Sequence, residues 1–298
     1  MSGIYLSINQ SIKSDSNTYY RILEFLGNGA NAYAYRCFCT SGTNKGLEFV
    51  LKLQYNLSTE TRRERFKREA AFLQSNVHPS ILQQYDMGTF VTNKNAFPFI
   101  ITGYMPKTLA KELQEKGIPF RTKVKYACQL LSAIAFLQNL SIVHRDIKPN
   151  NIFINNDNAI LGDFGLIKKV DNVSDGDDIE LIKDTILKPS FGYAAMARYY
   201  RTPELVNYAN STDNIYIESD VFQLGLVLAE LFSGKNPLLP SEDLRSPIQL
   251  ETIAHINAPK VYVKRIRNVL EQMLIVDRKE RITADLALDH FSGIFQEL

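Results

Sequence analysis

The sequence predicts an α+β protein built from two lobes. The first hundred residues read mainly as strands, because apolar residues alternate or run continuously in several short segments. From about residue 107 the pattern changes to longer stretches with helical periodicity. A strand-rich front followed by a helix-rich back is typical of an α+β architecture, and we place the boundary near residues 103–107.

The predicted strands of the first lobe are bounded by polar turns. One helix interrupts them, and Ser58 or Thr59 can cap its first turn. A polar segment, residues 1–18, precedes them and is expected to be an N-terminal extension. The strand segments are 21–27, 32–39, 47–55, 81–90 and 97–105.

Two segments of the second lobe have the strongest helical patterns. Residues 124–140 are apolar on most faces, which predicts a helix buried in a larger core. Residues 219–234 predict another helix, which ends at Gly234 because glycine readily adopts the left-handed conformation of a helix C-terminus.

Composition argues against several classes of partner. The 298 residues include 34 Lys+Arg and 32 Asp+Glu, so the net charge is +2 and we expect no nucleic acid or anionic membrane partner. No apolar run reaches the ~18 residues of a membrane span. The three cysteines, none in a C-x-x-C pair, favour a reducing compartment, so we expect a soluble, cytoplasmic protein. No feature sets the oligomeric state.

The strongest chemical signal is the segment 144–151, His-Arg-Asp-Ile-Lys-Pro-Asn-Asn. It matches the catalytic loop H-R-D-x-x-x-x-N of protein kinases, and Asp163-Phe164-Gly165 follows twelve residues after Asn151. The spacing lets Asp146 face an attacking hydroxyl while Asn151 and Asp163 hold Mg²⁺ beside the phosphates. On these motifs the chain resembles the eukaryotic-type serine/threonine protein kinases.

The resemblance implies a bilobal protein-kinase fold over residues 19–298. It comprises a small β-rich N-lobe with one helix (about 19–103), a hinge (103–107) and a larger, mainly α-helical C-lobe (about 107–298). The implied activity is transfer of the γ-phosphoryl group of ATP to a protein substrate, with Mg²⁺ as cofactor and Mn²⁺ as a possible substitute. Lys148 resembles the serine/threonine form of the loop, which favours those acceptors over tyrosine.

Two features of the first lobe are expected to bind the phosphates. The segment Gly27-Asn28-Gly29 begins a stretch that resembles the phosphate-covering loop, with Ala34 replacing the usual valine. Lys52 follows three apolar residues in a strand that should be buried, where an unpaired ammonium is costly. Glu69 shares the inward face of the predicted helix, so we expect it to pair with Lys52.

The family pattern also assigns the adenine pocket. Residues 97–105 resemble the hinge strand, with Thr102 as gatekeeper and main-chain groups of Gly103 and Met105 facing adenine. Val50 would lie above the base and Phe153 below it.

The segment 198–205, Arg-Tyr-Tyr-Arg-Thr-Pro-Glu-Leu, resembles the end of the activation segment in the cyclin-dependent and MAP-kinase group. The resemblance implies two structural contacts in the C-lobe. Glu204 would pair with Arg281, and Asp220 would hold the backbone of the catalytic loop.

A regulatory site is expected from three cations. Arg145, Lys168 and Arg65 would converge on an activation-loop phosphate. The candidate phosphorylation sites are Tyr193, Ser190 and Thr185. Alternatively, the acidic stretch 174–178 would satisfy the same cations without a phosphate.

Two rival functions have different sequence signals. A pseudokinase scaffold usually lacks the strand lysine or one of the two aspartates, whereas Lys52, Asp146 and Asp163 are all present. A small-molecule kinase of the aminoglycoside type lacks the equivalents of Lys148, Gly165 and the Thr-Pro-Glu segment, all of which this sequence contains. The sequence therefore argues against both rival functions.

Overall fold

The computed structural model describes residues 5–29, 31–93, 95–115, 117–170, 199–210, 216–241 and 245–298. The chain divides into two compact units. The first comprises Met1–His78 and Leu82–Met105, and the second comprises Pro79–Ile81 and Pro106–Leu298. Strands dominate the first unit and helices the second, which confirms the α+β class. Within the described residues, no helix is both long and apolar enough to cross a membrane.

A six-stranded antiparallel sheet forms most of the first unit, in the order β1-β2-β3-β4-β6-β5. Alternate residues of β3 are buried, as the apolar alternation predicts. Aromatic and aliphatic side chains such as Tyr35, Leu51 and Phe99 fill the core beneath the sheet. The strands are β1 (Ser11–Lys13), β2 (Tyr19–Asn28), β3 (Ala32–Cys39), β4 (Glu48–Gln54), β5 (Gln84–Val91) and β6 (Ala96–Gly103).

Helix α1 (Glu60–Ser75) lies between β4 and β5 in the chain. Of the two capping candidates, Thr59 is the N-cap, and its hydroxyl accepts a hydrogen bond from the Arg62 amide at 3.3 Å. The helix buries Phe66 and Glu69 on one face together with Ala70, Phe72 and Leu73. That face carries the carboxylate predicted to turn inward.

The N-terminal extension differs from the polar lead-in that the sequence predicts. It contributes strand β1 to the sheet and buries Leu6 and Ile12. The Ser14 hydroxyl donates to the Asp86 carboxylate at 2.6 Å, which ties this segment to β5. Two isolated apolar residues carry too little periodicity to indicate a short strand, which is why the pattern did not predict it.

The second unit is mainly helical, with short two- and three-stranded sheets. The buried helix predicted at 124–140 is α3, which begins four residues earlier. The helix predicted at 219–234 is α5, and Gly234 follows it in the left-handed conformation with φ +80°. The helices are α2 (Leu109–Glu115), α3 (Phe120–Asn139), α4 (Pro203–Ala209), α5 (Glu218–Ser233), α6 (Lys260–Met273) and α7 (Ala284–Gln296).

The short strands of the second unit carry the loops of chemical interest. The loop 144–148 follows β8, and a 3₁₀ turn, Pro149–Asn151, leads into β9. The Asp163-Phe164-Gly165 segment lies between β10 and β11. The strands are β7 (Lys107–Thr108), β8 (Ile142–Val143), β9 (Ile152–Asn155), β10 (Asn158–Leu161) and β11 (Lys168–Lys169).

Candidate active site

An ion pair joins β4 to α1 in the first unit. The Nζ atom of Lys52 lies 2.7 Å from Oε1 and 3.0 Å from Oε2 of Glu69. The Glu69 side chain is only 6% exposed, whereas that of Lys52 is 27% exposed. The carboxylate is therefore compensated in the interior, while part of the Lys52 side chain remains accessible to an anion.

The glycine-rich segment joins β2 to β3 next to Lys52. Ala34 on β3 lies opposite Gly27 on one side and opposite Lys52 on the other. Gly27 has φ +149°, a conformation that favours glycine, and a Cβ added there would meet no atom within 4 Å. A Cβ on Gly29 would meet only the Ala32 carbonyl oxygen, at 3.8 Å.

This open space fits a phosphate group, since glycines let a backbone approach a ligand closely. Asn28 lies at the end of β2 within the same turn. The segment therefore meets the steric condition for a nucleotide-binding loop.

The hinge residues assigned from the sequence lie on and just after β6. Thr102 is buried, and Val50 of β4 is its cross-strand partner. Gly103 ends the strand, and a Cβ added to it would lie 3.2 Å from the Met105 side chain. Two of the residues proposed to surround adenine, Val50 and Thr102, are thus neighbours across one strand pair.

The first turn of α5 holds the catalytic loop of the second unit. The Asp220 carboxylate accepts hydrogen bonds from the backbone amides of His144 at 2.6 Å and Arg145 at 3.0 Å. Burial raises the pKa of Asp220 to about 7, and the two amides and the Arg145 charge oppose that rise. The expected contact of Asp220 with the loop backbone is present.

A second residue of α5 holds the loop but was missed by sequence reasoning. The Gln223 side-chain oxygen accepts from the Ile147 amide at 2.7 Å. Gln223 follows Asp220 by three residues, so both lie on one face of the helix. That spacing of three residues was the sequence signal that could have identified Gln223 as a second contact of the loop.

His144 connects the catalytic loop to the segment before Asp163. Its Nε2 atom lies 3.1 Å from the Gly162 carbonyl oxygen, and its ring packs edge-on against Phe164 at 4.8 Å. Nδ1 accepts from the Asp146 amide at 3.3 Å. Burial lowers the pKa of His144, which agrees with a neutral ring that is protonated at Nε2.

The Asp146 carboxylate is held from two directions. Lys148 Nζ lies 2.8 Å from both carboxylate oxygens, and Asn151 Nδ2 donates to Oδ2 and to the Asp146 carbonyl oxygen, each at 2.8 Å. The Asp146 side chain remains 19% exposed. A fixed, charged and accessible carboxylate can orient a hydroxyl group and accept its proton.

Asn151 and Asp163 are brought close together by a backbone hydrogen bond. The Gly162 amide donates to the Asn151 carbonyl oxygen at 2.8 Å. The Asn151 amide nitrogen donates to Asp146, so the side-chain oxygen is the atom of this amide that can serve as a metal ligand. Asp163 is exposed and has φ +57°. An amide oxygen and a carboxylate are hard donors that fit Mg²⁺.

The C-terminal part of the second unit contains the ion pair expected from the activation-segment motif. Arg281 Nη2 lies 2.8 Å from Glu204 Oε1, and both side chains are almost fully buried. Thr202 is the N-cap of α4 and hydrogen-bonds Ser219 Oγ at 2.6 Å. The threonine therefore has a structural role at this position.

The predicted regulatory residues are only partly described. Arg145 donates from Nε to the Leu166 carbonyl oxygen, and Lys168 on β11 pairs with Val143, two residues before Arg145. Arg65 lies on α1 in the first unit, and its convergence with the other two cations stays a prediction. The candidate phosphorylation sites Thr185, Ser190 and Tyr193 and the acidic stretch 174–178 lie outside the described residues.

Comparison with known proteins identifies the family. The sequence model of one protein family, the protein kinase domain, matches residues 20–291 of this chain. A "Probable serine/threonine-protein kinase" of Dictyostelium discoideum is 30% identical over 75% of this chain and 12% of its own length. Another of that name, from Clostridium acetobutylicum, is 31% identical over 86% of this chain and 36% of its own. Mitogen-activated protein kinase 12 of Homo sapiens is 23% identical over 97% of this chain and 82% of its own.

The chain thus spans about an eighth of the length of the Dictyostelium relative and about a third of the clostridial one. The MAP kinase match agrees with the resemblance of the activation-segment end to that group. With the family model matched along nearly the whole chain and its motifs in place, this chain belongs to the protein kinase family.

Proposed function

We propose that this chain is an ATP-dependent protein kinase that phosphorylates serine and threonine hydroxyls of protein substrates. The observation that carries the proposal is the Asp146 carboxylate, fixed by Lys148 and Asn151 and still accessible. The names of the relatives, serine/threonine kinases and a MAP kinase, support the same class of acceptor.

The residues around Asp146 would carry the transfer. Bound Mg-ATP supplies the phosphoryl group and the metal charge that neutralises it. Asp146 would orient the substrate hydroxyl in line with the γ-phosphorus atom and take its proton on a carboxylate oxygen. Lys148 would stabilise the negative charge that develops next to that carboxylate. Asn151 and Asp163 would hold Mg²⁺ through their side-chain oxygens.

The first unit would bind the nucleotide. Lys52, kept in position by Glu69, would contact the α- and β-phosphates, and the Gly27–Gly29 turn with Ala34 would cover them. The partial exposure of the Lys52 side chain supports this role, because it leaves the ammonium group accessible to a phosphate, which a purely structural ion pair would not require.

The adenine base would be bound by the residues that the family pattern assigns to it. The main-chain groups of Gly103 and Met105 would hydrogen-bond the base, and Thr102 would limit the space behind it. Val50 and Phe153 would supply apolar contacts. In this assignment residues 19–103 form the N-lobe and 107–298 the C-lobe of one kinase domain.

The proposal is tested by mapping the phosphorylated residues. The purified chain is incubated with labelled ATP, Mg²⁺ or Mn²⁺ and a mixture of generic protein substrates, and labelled sites are found by mass spectrometry. We expect phosphoserine and phosphothreonine that depend on the metal ion. Binding of Mg-ATP without any transfer would favour a scaffold instead, and phosphotyrosine alone would refute the assigned acceptor class.

A further inference from the structure

The two residues that follow β4, Tyr55 and Asn56, contact the glycine-rich segment at three points. The Tyr55 hydroxyl donates to the Gly29 carbonyl oxygen at 3.0 Å. The amides of Tyr55 and Asn56 both donate to the Asn31 carbonyl oxygen, at 3.0 and 3.2 Å. The segment is therefore held at Gly29 by a side chain and at Asn31 by two backbone hydrogen bonds.

The Tyr55 ring is in turn held by other aromatic rings. It stacks on Tyr33 with ring centroids 4.2 Å apart and an interplanar angle of 19°. Tyr33 also stacks on Tyr5, with ring centroids 4.8 Å apart and an interplanar angle of 26°. We call these three rings, Tyr5, Tyr33 and Tyr55, the tyrosine column.

The column starts in the N-terminal segment and ends at the glycine-rich turn. Phe25 on β2 packs edge-on against Tyr5 and Tyr33, each at 6.0 Å. The Leu6 amide donates to the Tyr35 hydroxyl at 3.2 Å, which anchors the chain next to Tyr5. The N-terminal segment thus covers the strand that carries Tyr33.

The hydroxyl of Tyr55 is suited to be a permanent donor. Burial raises the pKa of Tyr55, so the phenol keeps its proton at neutral pH. Its acceptor belongs to a turn rich in glycine, whose backbone has more conformational freedom than that of any other residue. A single hydrogen bond there restricts a backbone that would otherwise sample many conformations.

We propose that Tyr55 is a positioning residue for nucleotide phosphates, and that it acts by holding the glycine-rich turn through its hydroxyl while the tyrosine column fixes its ring. The inference rests on the proposed function, because it takes the turn Gly27–Gly29 as the phosphate-covering segment. It adds a residue outside the assigned motifs to the phosphate-binding apparatus, and it gives the N-terminal segment a role in that apparatus.

The test removes only the hydroxyl. Tyr55→Phe keeps the ring, and Tyr19→Phe removes a tyrosine hydroxyl from an exposed position at the start of β2 as the matched control. Two readouts are compared with wild type. One is amide hydrogen exchange at Gly29 without nucleotide, and the other is the calorimetric dissociation constant for adenosine, Mg-ADP and Mg-ATP.

We expect Tyr55→Phe to speed exchange at Gly29 and to weaken Mg-ADP and Mg-ATP binding by about two- to tenfold, the range of one neutral hydrogen bond. Adenosine binding and the melting temperature should stay at the wild-type values, because the residues proposed to bind the base lie outside the turn. Tyr19→Phe should match wild type in every readout. Loss of adenosine and nucleotide binding in equal proportion would overturn the proposal, because it would reveal a general structural defect.

A second variant tests the column. Tyr5→Ala removes an exposed ring and should produce a smaller increase in exchange at Gly29, since the Tyr55 hydroxyl and its stack on Tyr33 are both kept. Unchanged exchange in both Tyr55→Phe and Tyr5→Ala would overturn the proposal while leaving the kinase assignment intact. A wild-type protein that binds no Mg-ATP would refute both.

Discussion

The Nζ atom of Lys148 lies 2.8 Å from each carboxylate oxygen of Asp146. The lysine is buried, with 7% of its side chain exposed, so this cation has little access to water. A buried charge pair of this geometry fixes the direction of the carboxylate. The contact is the basis for the first prediction.

Lys148→Met should lower kcat by about 10²-fold, because the carboxylate loses its fixed orientation and its charge partner. Methionine has a similar length, so packing is largely retained. Affinity for Mg-ATP, measured by calorimetry, should stay within about twofold. Lys148→Arg keeps the charge and should recover part of the rate. A Lys148→Met protein with wild-type turnover would show that this lysine does not serve the reaction.

Glu69→Gln should weaken the use of ATP, because Lys52 loses its charge partner. We expect kcat/KM for ATP to fall by about 10- to 100-fold, equivalent to about 1.4 to 2.7 kcal/mol. The control is Glu64→Gln on the same helix, whose carboxylate pairs with the exposed Lys67. Steady-state kinetics should show a much lower kcat/KM for ATP in Glu69→Gln than in Glu64→Gln. Equal kcat/KM values for the two variants would argue against a role for the Lys52–Glu69 pair.

Asp163→Asn should reduce Mg²⁺-dependent nucleotide binding, because a carboxylate ligand is replaced by a neutral amide. Asparagine tolerates the left-handed backbone at this position. Asp157→Asn is matched in conformation, since Asp157 has φ +56° and Asp163 has φ +57°. In a thermal-shift titration, Mg-ATP should raise the melting temperature of wild type and of Asp157→Asn, whereas Asp163→Asn should lose this stabilisation. Full stabilisation of that variant would remove Asp163 from the metal site.

His144 should make stability depend on pH in the acidic range. Its folded-state pKa lies below the ordinary value of 6.5, so the neutral ring contributes stability above that value. The contribution is lost as the pH falls from about 7 towards 5, when the unfolded chain binds a proton that the folded chain resists.

The measurement compares wild type with His144→Phe, which keeps an aromatic ring beside Phe164. The wild type should be more stable at pH 7, and the difference in unfolding free energy should narrow on acidification. Asp220 titrates in both proteins, so its contribution largely cancels. A difference that is constant or grows towards pH 5 would contradict a neutral buried His144.

Parts of the site were predictable because residue type and spacing carry the information locally. A lysine in a buried strand needs a carboxylate, and the helical period of α1 selects Glu69 over its exposed neighbours. Gly234 as a helix terminus and Asp220 as a partner of the catalytic loop followed from comparable local or motif signals.

Other parts depend on contacts between distant segments that have no period in the sequence. Strand β1 forms because the existing edge of β2 accepts it, and its own three residues give no signal. Tyr55 reads simply as the end of an apolar strand, and its contact with Gly29 spans 26 positions. Gln223 had the right spacing from Asp220, but a glutamine on a helix has many possible partners.

Asp146→Asn tests most directly whether Asp146 serves the transfer of the phosphoryl group. Single-turnover transfer from labelled Mg-ATP to a protein substrate is measured beside the calorimetric affinity for Mg-ATP. We predict a transfer rate lower by about 10²- to 10⁴-fold and an affinity within about twofold of wild type, because the carboxylate acts on the transition state. A variant that transfers phosphate at the wild-type rate would contradict it.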